Sequence, residues 1–248
     1  SLQLSSSLFY ASLPHAYAVE HGAKVLVATG QLAEGADGGG ADLTRRIAET
    51  GHFLYEVFPT DGSIELEPFG EGYVAARNVR LFHAAVRFWL LDPEQEWDPA
   101  DGVPINQEDL IGTMLSFTVA AFEAFHHMNL PYKEAEARAY LHAWNVVGSL
   151  LGIEPDVLPI DFDDAFDLAH LIAARHQRPS EEGRQLTTAL LEDGQGALPP
   201  VVDRIPATLL HHLAGKEVAT LHDVGAPPRW MQRGAHAMSW LNPVLLRY

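Results

Sequence analysis

The chain has 248 residues, 47% of them hydrophobic and 20% charged, which suits one domain built around one substantial core. A formal charge of −17 repels phosphate backbones and anionic membrane surfaces, and no basic stripe offsets it, so nucleic acid is not an expected partner. With no cysteine, the chain can have no disulfide, thiolate metal site, nucleophilic cysteine or thiolate-ligated haem.

The longest apolar stretch, around Ala23 to Ala28, is far too short to span a bilayer. The chain opens at Ser1 without Met and without a charged start leading into an apolar leader, consistent with earlier removal of a segment. Exported and cytoplasmic placements are both compatible with this composition.

In chain order, Leu13 to Thr29 is helix-compatible, with Pro14 suited to a first turn and Gly30 to a stop. A flexible glycine-rich loop follows from Gly35 to Gly40. Asp42 then caps a helix that runs to about Phe58, where Pro59 and Asp61-Gly62 end it. The alternation at Ile64 to Glu67 is too short to found a sheet. From Gly72 to Leu91, Val79, Phe82, Val86 and Leu90 recur at helical spacing, and a loop with two prolines covers Asp92 to Val103. Asn106 and Asp109 resemble a cap and its reciprocal acid, opening a long apolar helix to about Met128. Further helices fit Tyr132 to Leu151, closed by Gly152, then Asp163 to His176, Ser180 to Leu191 and Pro206 to Ala214, before a proline-punctuated tail. No repeat or set of alternating strands is evident, so the expected class is all-α, as a single domain over residues 1–248.

Arg46, Glu49 and Thr50 fall at i, i+3 and i+4, one polar stripe on a helix, while His83 sits among apolar residues on the next. A polar face opposite a lone histidine is what an oxygen-handling haem site needs. Taken alone, a histidine in such company more often serves as a buried neutral imidazole bonded to a carbonyl. Glu123 and His126 have the ExxH spacing of di-iron bundles, but a di-iron site needs a second such pair and two more glutamates, and the nearest counterpart is Asp167 with His170. The adjacent pairs His126-His127 and His211-His212 point to different helix faces and suit surface positions. Hydrolase, kinase and dinucleotide signatures are absent from the sequence.

Five segments, in order, resemble the rubber oxygenase family, which includes latex clearing protein and fungal oxygenases that trim farnesyl chains. They are Arg45 to Thr50, Val79 to Arg87, Gly102 to Thr113, Ala139 to Gly148, and Arg175 to Gln177 with Ser180 to Gly183. The resemblance spans roughly residues 10–195. It implies a globin-like helical core with additional helices, holding haem b and using O₂ to cleave a carbon–carbon double bond of an isoprenoid or similar apolar alkene into carbonyl products.

Carried over by position, the resemblance makes His83 the proximal iron ligand, with Arg46 and Thr50 on the distal side. Glu49 stands where latex clearing proteins carry a lysine able to occupy the sixth iron position, so a different resting ligand is expected. On chemical grounds Arg46 would stabilise charge on bound dioxygen, Thr50 would donate a weaker hydrogen bond, and Glu49 is the candidate acid or base. An exposed Glu49 paired with Arg45 or Arg46 is an equally good reading. Arg80 and Arg87 are candidate anchors for the haem propionates, with surface salt bridges as the alternative, and His142 and Trp144 are support residues. The expected partner is an apolar small-molecule or polymer alkene, met by a monomer without a membrane span. Two other readings stay open: a haem protein that binds or senses without turnover, and a non-haem di-iron oxidase around Glu123 and His126.

Overall fold

The computed structural model describes residues 7–34, 40–59, 64–95, 97–196 and 203–245. Helices follow one another through all of it, and the only strand-like pairing among the described residues is a single bridge between Val19 and Gln177. The all-α expectation holds. No helix among the described residues is long and apolar enough to cross a membrane.

A π-helical turn, Leu8–Ser12, leads into α1, Leu13–Tyr17, with Pro14 in its first turn. A break at Ala18 and Val19 separates it from α2, Glu20–Glu34. Thus Leu13 to Thr29 is two helices, and Gly30 is carried inside the second instead of ending it. Helix α3, Gly40–Val57, begins two residues before Asp42, and the glycine-rich loop lies at residues 35–39, outside the described ones. Helix α4 covers Glu71–Leu90. Its start crowds the end of α3: a Cβ on Gly72 would sit 3.0 Å from the Glu56 carbonyl oxygen and 3.2 Å from that of Glu65. A side chain there would press on both carbonyls, so glycine suits the close approach that sets α3 and α4 side by side.

Helix α5, Gln107–His127, is the centre of the molecule, buried on nearly every face from Leu110 to Ala124. Its start is the expected reciprocal cap: Asn106 Oδ1 accepts the Glu108 and Asp109 amides at 2.8 and 3.1 Å, and Asp109 Oδ2 accepts the Asn106 amide at 3.0 Å. Helix α6, Glu134–Leu151, stops at Gly152, whose φ of 104° is the left-handed geometry that glycine takes freely. Then come α7, Phe162–His176, and α8, Glu181–Gly196. Beyond the expected helix at α9, Ile205–Leu213, the tail forms α10, Gly215–Leu221, and α11, Arg229–Leu245. The main core joins α1 to α8, with Trp144, Ile111, Leu115 and Leu190 all but inaccessible to water.

Candidate functional site

The helices from α1 to α8 enclose a cavity of about 370 Å³, within the range of small-molecule sites. Two neighbouring helices give it matched stripes at i, i+3, i+4 and i+7: Arg46, Glu49, Thr50 and Phe53 from α3, and Val79, Phe82, His83 and Val86 from α4. Arg46, Glu49, Thr50 and His83 therefore border one space.

His83 is largely buried, and burial pushes its imidazole down to about 4, helped by the nearby Arg87 charge. Its ring is neutral at ordinary pH, as a metal-binding imidazole must be. Its Nδ1 is buried without a hydrogen-bond partner, an arrangement a folded protein rarely leaves without a purpose. A neutral histidine with an orphaned nitrogen, in a cavity that Arg46 also borders, fits the haem that the family resemblance implies.

Arg46 does not hang free. Its guanidinium donates to the Leu26 carbonyl and to Thr29 Oγ1 on α2, and Leu26 and Thr29 are themselves cavity residues. Thr29 Oγ1 in turn donates to the Val25 carbonyl at 2.9 Å, so its lone pairs face the arginine. Glu49 borders the cavity, but its carboxylate is 64% exposed and sits 3.3 Å from Arg45 Nε on its own helix. The exposed pairing is the one realised.

Arg80 and Arg87 are on α4 but not on the cavity wall. Arg87 donates to the Pro104 carbonyl at 3.0 Å and also to the Ile105 carbonyl, tying α4 to the segment that brings Ile105 to the cavity. Arg80 is exposed, with its guanidinium packed over Gly152. Trp144 is buried on the wall, stacked on Phe117 at 5.6 Å, whereas His142 faces outward. The di-iron set does not assemble: Glu123 meets an exposed His170 at 3.6 Å, and among the described residues no three or more His, Asp or Glu side chains are placed to hold one metal ion.

A polar cluster on the same wall has no counterpart in the sequence reading. His21 Nε2 lies 2.5 Å from Asp109 Oδ1, and that hydrogen bond raises the His21 pKa above its ordinary value. The His176 ring meets His21 edge-on at 4.8 Å, and its Nε2 stands 3.0 Å from Glu108 Oε1, though poorly aligned for a hydrogen bond. Glu108 is bridged on its outer side by Arg175 at 3.1 Å. A sequence signal did exist: Leu13, Tyr17, His21, Val25 and Thr29 follow at intervals of four, so His21 and Thr29 are polar breaks in an apolar stripe.

Residues 3–242 match the family model described as "ER-bound oxygenase mpaB/B'/Rubber oxygenase, catalytic domain". The chain is 31% identical over 156 residues to a rubber oxygenase of Streptomyces sp. (strain K30), an alignment covering 62% of this chain and 37% of that protein. In shape it is similar to latex clearing protein in its closed state, with a TM-score of 0.80 over 98% of this chain and 63% of the other, at 24% identity. That identity speaks for the fold. The chain thus spans well under two thirds of the curated relative it matches.

Proposed function

The chain belongs to the mpaB/rubber oxygenase catalytic-domain family, and from that premise we propose that it is a haem b-dependent oxygenase. Its reaction would be O₂-dependent cleavage of a carbon–carbon double bond in an isoprenoid or similar apolar alkene, giving aldehyde or ketone products. Both oxygen atoms of O₂ end in the two carbonyl groups, so the equation balances without a reductant. The observation that carries the reading is the meeting of His83, Arg46 and Thr50, from two helices, on the wall of one largely apolar cavity.

His83 would hold the haem iron through its neutral imidazole. Haem held by histidine supplies O₂ binding at ferrous iron, without the early O–O scission that a thiolate ligand promotes. Arg46 places a fixed positive charge at the cavity wall, where low dielectric strengthens its pull on a developing negative oxygen. Its hydrogen bonds to Leu26 and Thr29 hold the guanidinium in place, so little reorganisation is needed when that charge appears. Thr50, one turn on, offers a hydroxyl to the same space. Phe53, Val79, Val86 and Phe117 exclude water and suit an alkene chain.

The test is turnover of the haem-loaded chain with squalene as an isoprenoid probe under ¹⁸O₂, with carbonyl products trapped as hydrazones. Label in both carbonyl fragments, and its loss in Arg46→Ala with haem retained, is the expected result. A haem-loaded chain that yields no O₂-derived carbonyl from squalene or from shorter prenyl alcohols would instead favour binding or sensing without turnover.

A further inference from the structure

Exposed apolar side chains are not spread evenly over this protein. Of the thirteen large ones exposed among the described residues, eight fall between Tyr55 and Leu91, in α3, α4 and the segment joining them. Five are on α4 itself: Val74, Leu81, Phe82, Phe88 and Leu91, the last at its C-terminal cap. Val74, Leu81 and Phe88 are seven residues apart, hence on one face, and Leu81 and Phe88 are 70% and 81% exposed. Exposed Ala84 and Ala85 join Leu81 to Phe88, while exposed Arg77 and Asn78 stand between Val74 and Leu81 and bound the strip at that end. A contiguous apolar strip of this kind on a soluble surface marks an interaction site.

Three features say what covers it. First, no acidic residue occurs between Glu71 and Asp92, in a chain that carries 33 of them. The exposed cations of this helix, Arg77 and Arg80, flank the strip. The charge of −17 opposes adsorption to an anionic surface in most orientations, but charges beyond about 8 Å are screened at physiological ionic strength. A helix that is itself free of acids from Gly72 to Leu91 can therefore approach, with exposed Glu71 and Asp92 at its ends and Glu49 on the neighbouring helix. Second, a two-fold contact with another copy would bring each arginine-flanked face against the same positive face, an unfavourable pairing. Third, Phe82 is both 54% exposed at the edge of the strip and part of the cavity wall, so whatever covers the strip also borders the cavity.

We propose that the outer face of α4 is a docking surface for a phospholipid bilayer containing anionic headgroups. The helix lies in the interfacial plane with Leu81 and Phe88 among the acyl chains and Arg77 on lipid phosphate, and the Phe82 edge of the cavity opens toward the hydrocarbon. This rests on the reading that the cavity takes an apolar substrate, because such a molecule dissolves in the bilayer and would enter from there. It requires no spanning helix.

The test is co-sedimentation of the full chain with vesicles of phosphatidylcholine mixed with phosphatidylglycerol. The chain should pellet with the vesicles. Leu81→Asp combined with Phe88→Asp should lower the partition coefficient by about a hundred-fold or more, since each side chain contributes at least ten-fold when buried. Helical circular dichroism and the melting temperature should be retained, because both positions face solvent. Arg77→Glu should weaken binding and reduce its dependence on salt. Wild-type chain left in the supernatant, or a Leu81/Phe88 variant that binds as well as wild type, overturns the proposal. So does a dimer in sedimentation equilibrium that the same variant splits, which would identify a second copy as the occupant. None of this requires haem: vesicle binding by a chain that takes up no haem would keep the surface and remove the oxygenase reading, and the converse result would do the reverse.

Discussion

Thr29→Val tests the idea that α2 holds the distal arginine in place. Valine matches threonine in shape, and the site is 5% exposed, so the substitution opens no appreciable cavity. Three hydrogen-bond contacts are lost. Two, from Thr29 Oγ1 to the Val25 and Leu26 carbonyls, share one hydrogen within the helix and contribute little. The third is accepted from the Arg46 guanidinium, and a hydrogen bond to a charged group contributes about 1.5–3 kcal/mol, the lower end applying because Arg46 is only part-buried. Thr29→Val should therefore cost about 1.5 kcal/mol when Arg46 is present and close to nothing beside Arg46→Met. The assay is a double-mutant cycle from urea unfolding of the four proteins. Costs that add to within about 0.5 kcal/mol would refute the coupling between Thr29 and Arg46.

Trp144→Ala should cost about 3–5 kcal/mol, because the indole is 2% exposed and packed between Phe58 and Phe117; a cost under about 1 kcal/mol in chemical unfolding would mean the wall collapses to fill the space. Two histidines should give pH dependences of opposite sign. His15, which burial pushes down to about 4, contributes stability that is complete above its ordinary value of 6.5 and lost as pH falls toward 4, up to about 3 kcal/mol. In His15→Gln the stability lost on acidification through that window should shrink, and an unchanged slope would contradict the assignment. His21, whose pKa the Asp109 hydrogen bond raises, contributes stability below 6.5 that disappears as pH climbs through its folded value. Proton NMR of its ring should titrate above 6.5, and Asp109→Asn should bring it down; a ring indifferent to Asp109 would remove the pair.

Much of this architecture was written in local sequence signals. The Asn106/Asp109 cap and the Gly152 stop depend on residues within four positions of each other, and both formed as expected. Gly30 misled because a helix packed on both sides tolerates an interior glycine, whose cost of about 1 kcal/mol is offset by tertiary contacts. Helix α11 was hidden by Pro227 and Pro228, which precede it instead of breaking it, and by Pro243 within its last turn, while α10, at seven residues, is too short to show a helical period. At the site, the stripes on α3 and α4 could be read from spacing. What meets them could not, since Thr29 lies 17 residues from Arg46 and His21 lies 88 from Asp109. Glu49 and Arg87 show the same limit. A helix wheel places both near the cavity, but the choice between cavity, neighbour and solvent belongs to Arg45 for one and to the carbonyls of Pro104 and Ile105 for the other.

The central claim is that His83 binds haem b in this cavity. The most direct measurement is the absorption spectrum of purified chain, oxidised and dithionite-reduced, with a pyridine haemochrome assay, for the wild type, His83→Ala and His126→Ala after identical haem reconstitution. The account predicts a Soret band with one haem b per chain, retained in His126→Ala and largely lost in His83→Ala. Haem retained in His83→Ala and lost in His126→Ala, or no Soret band in any of the three, would contradict it.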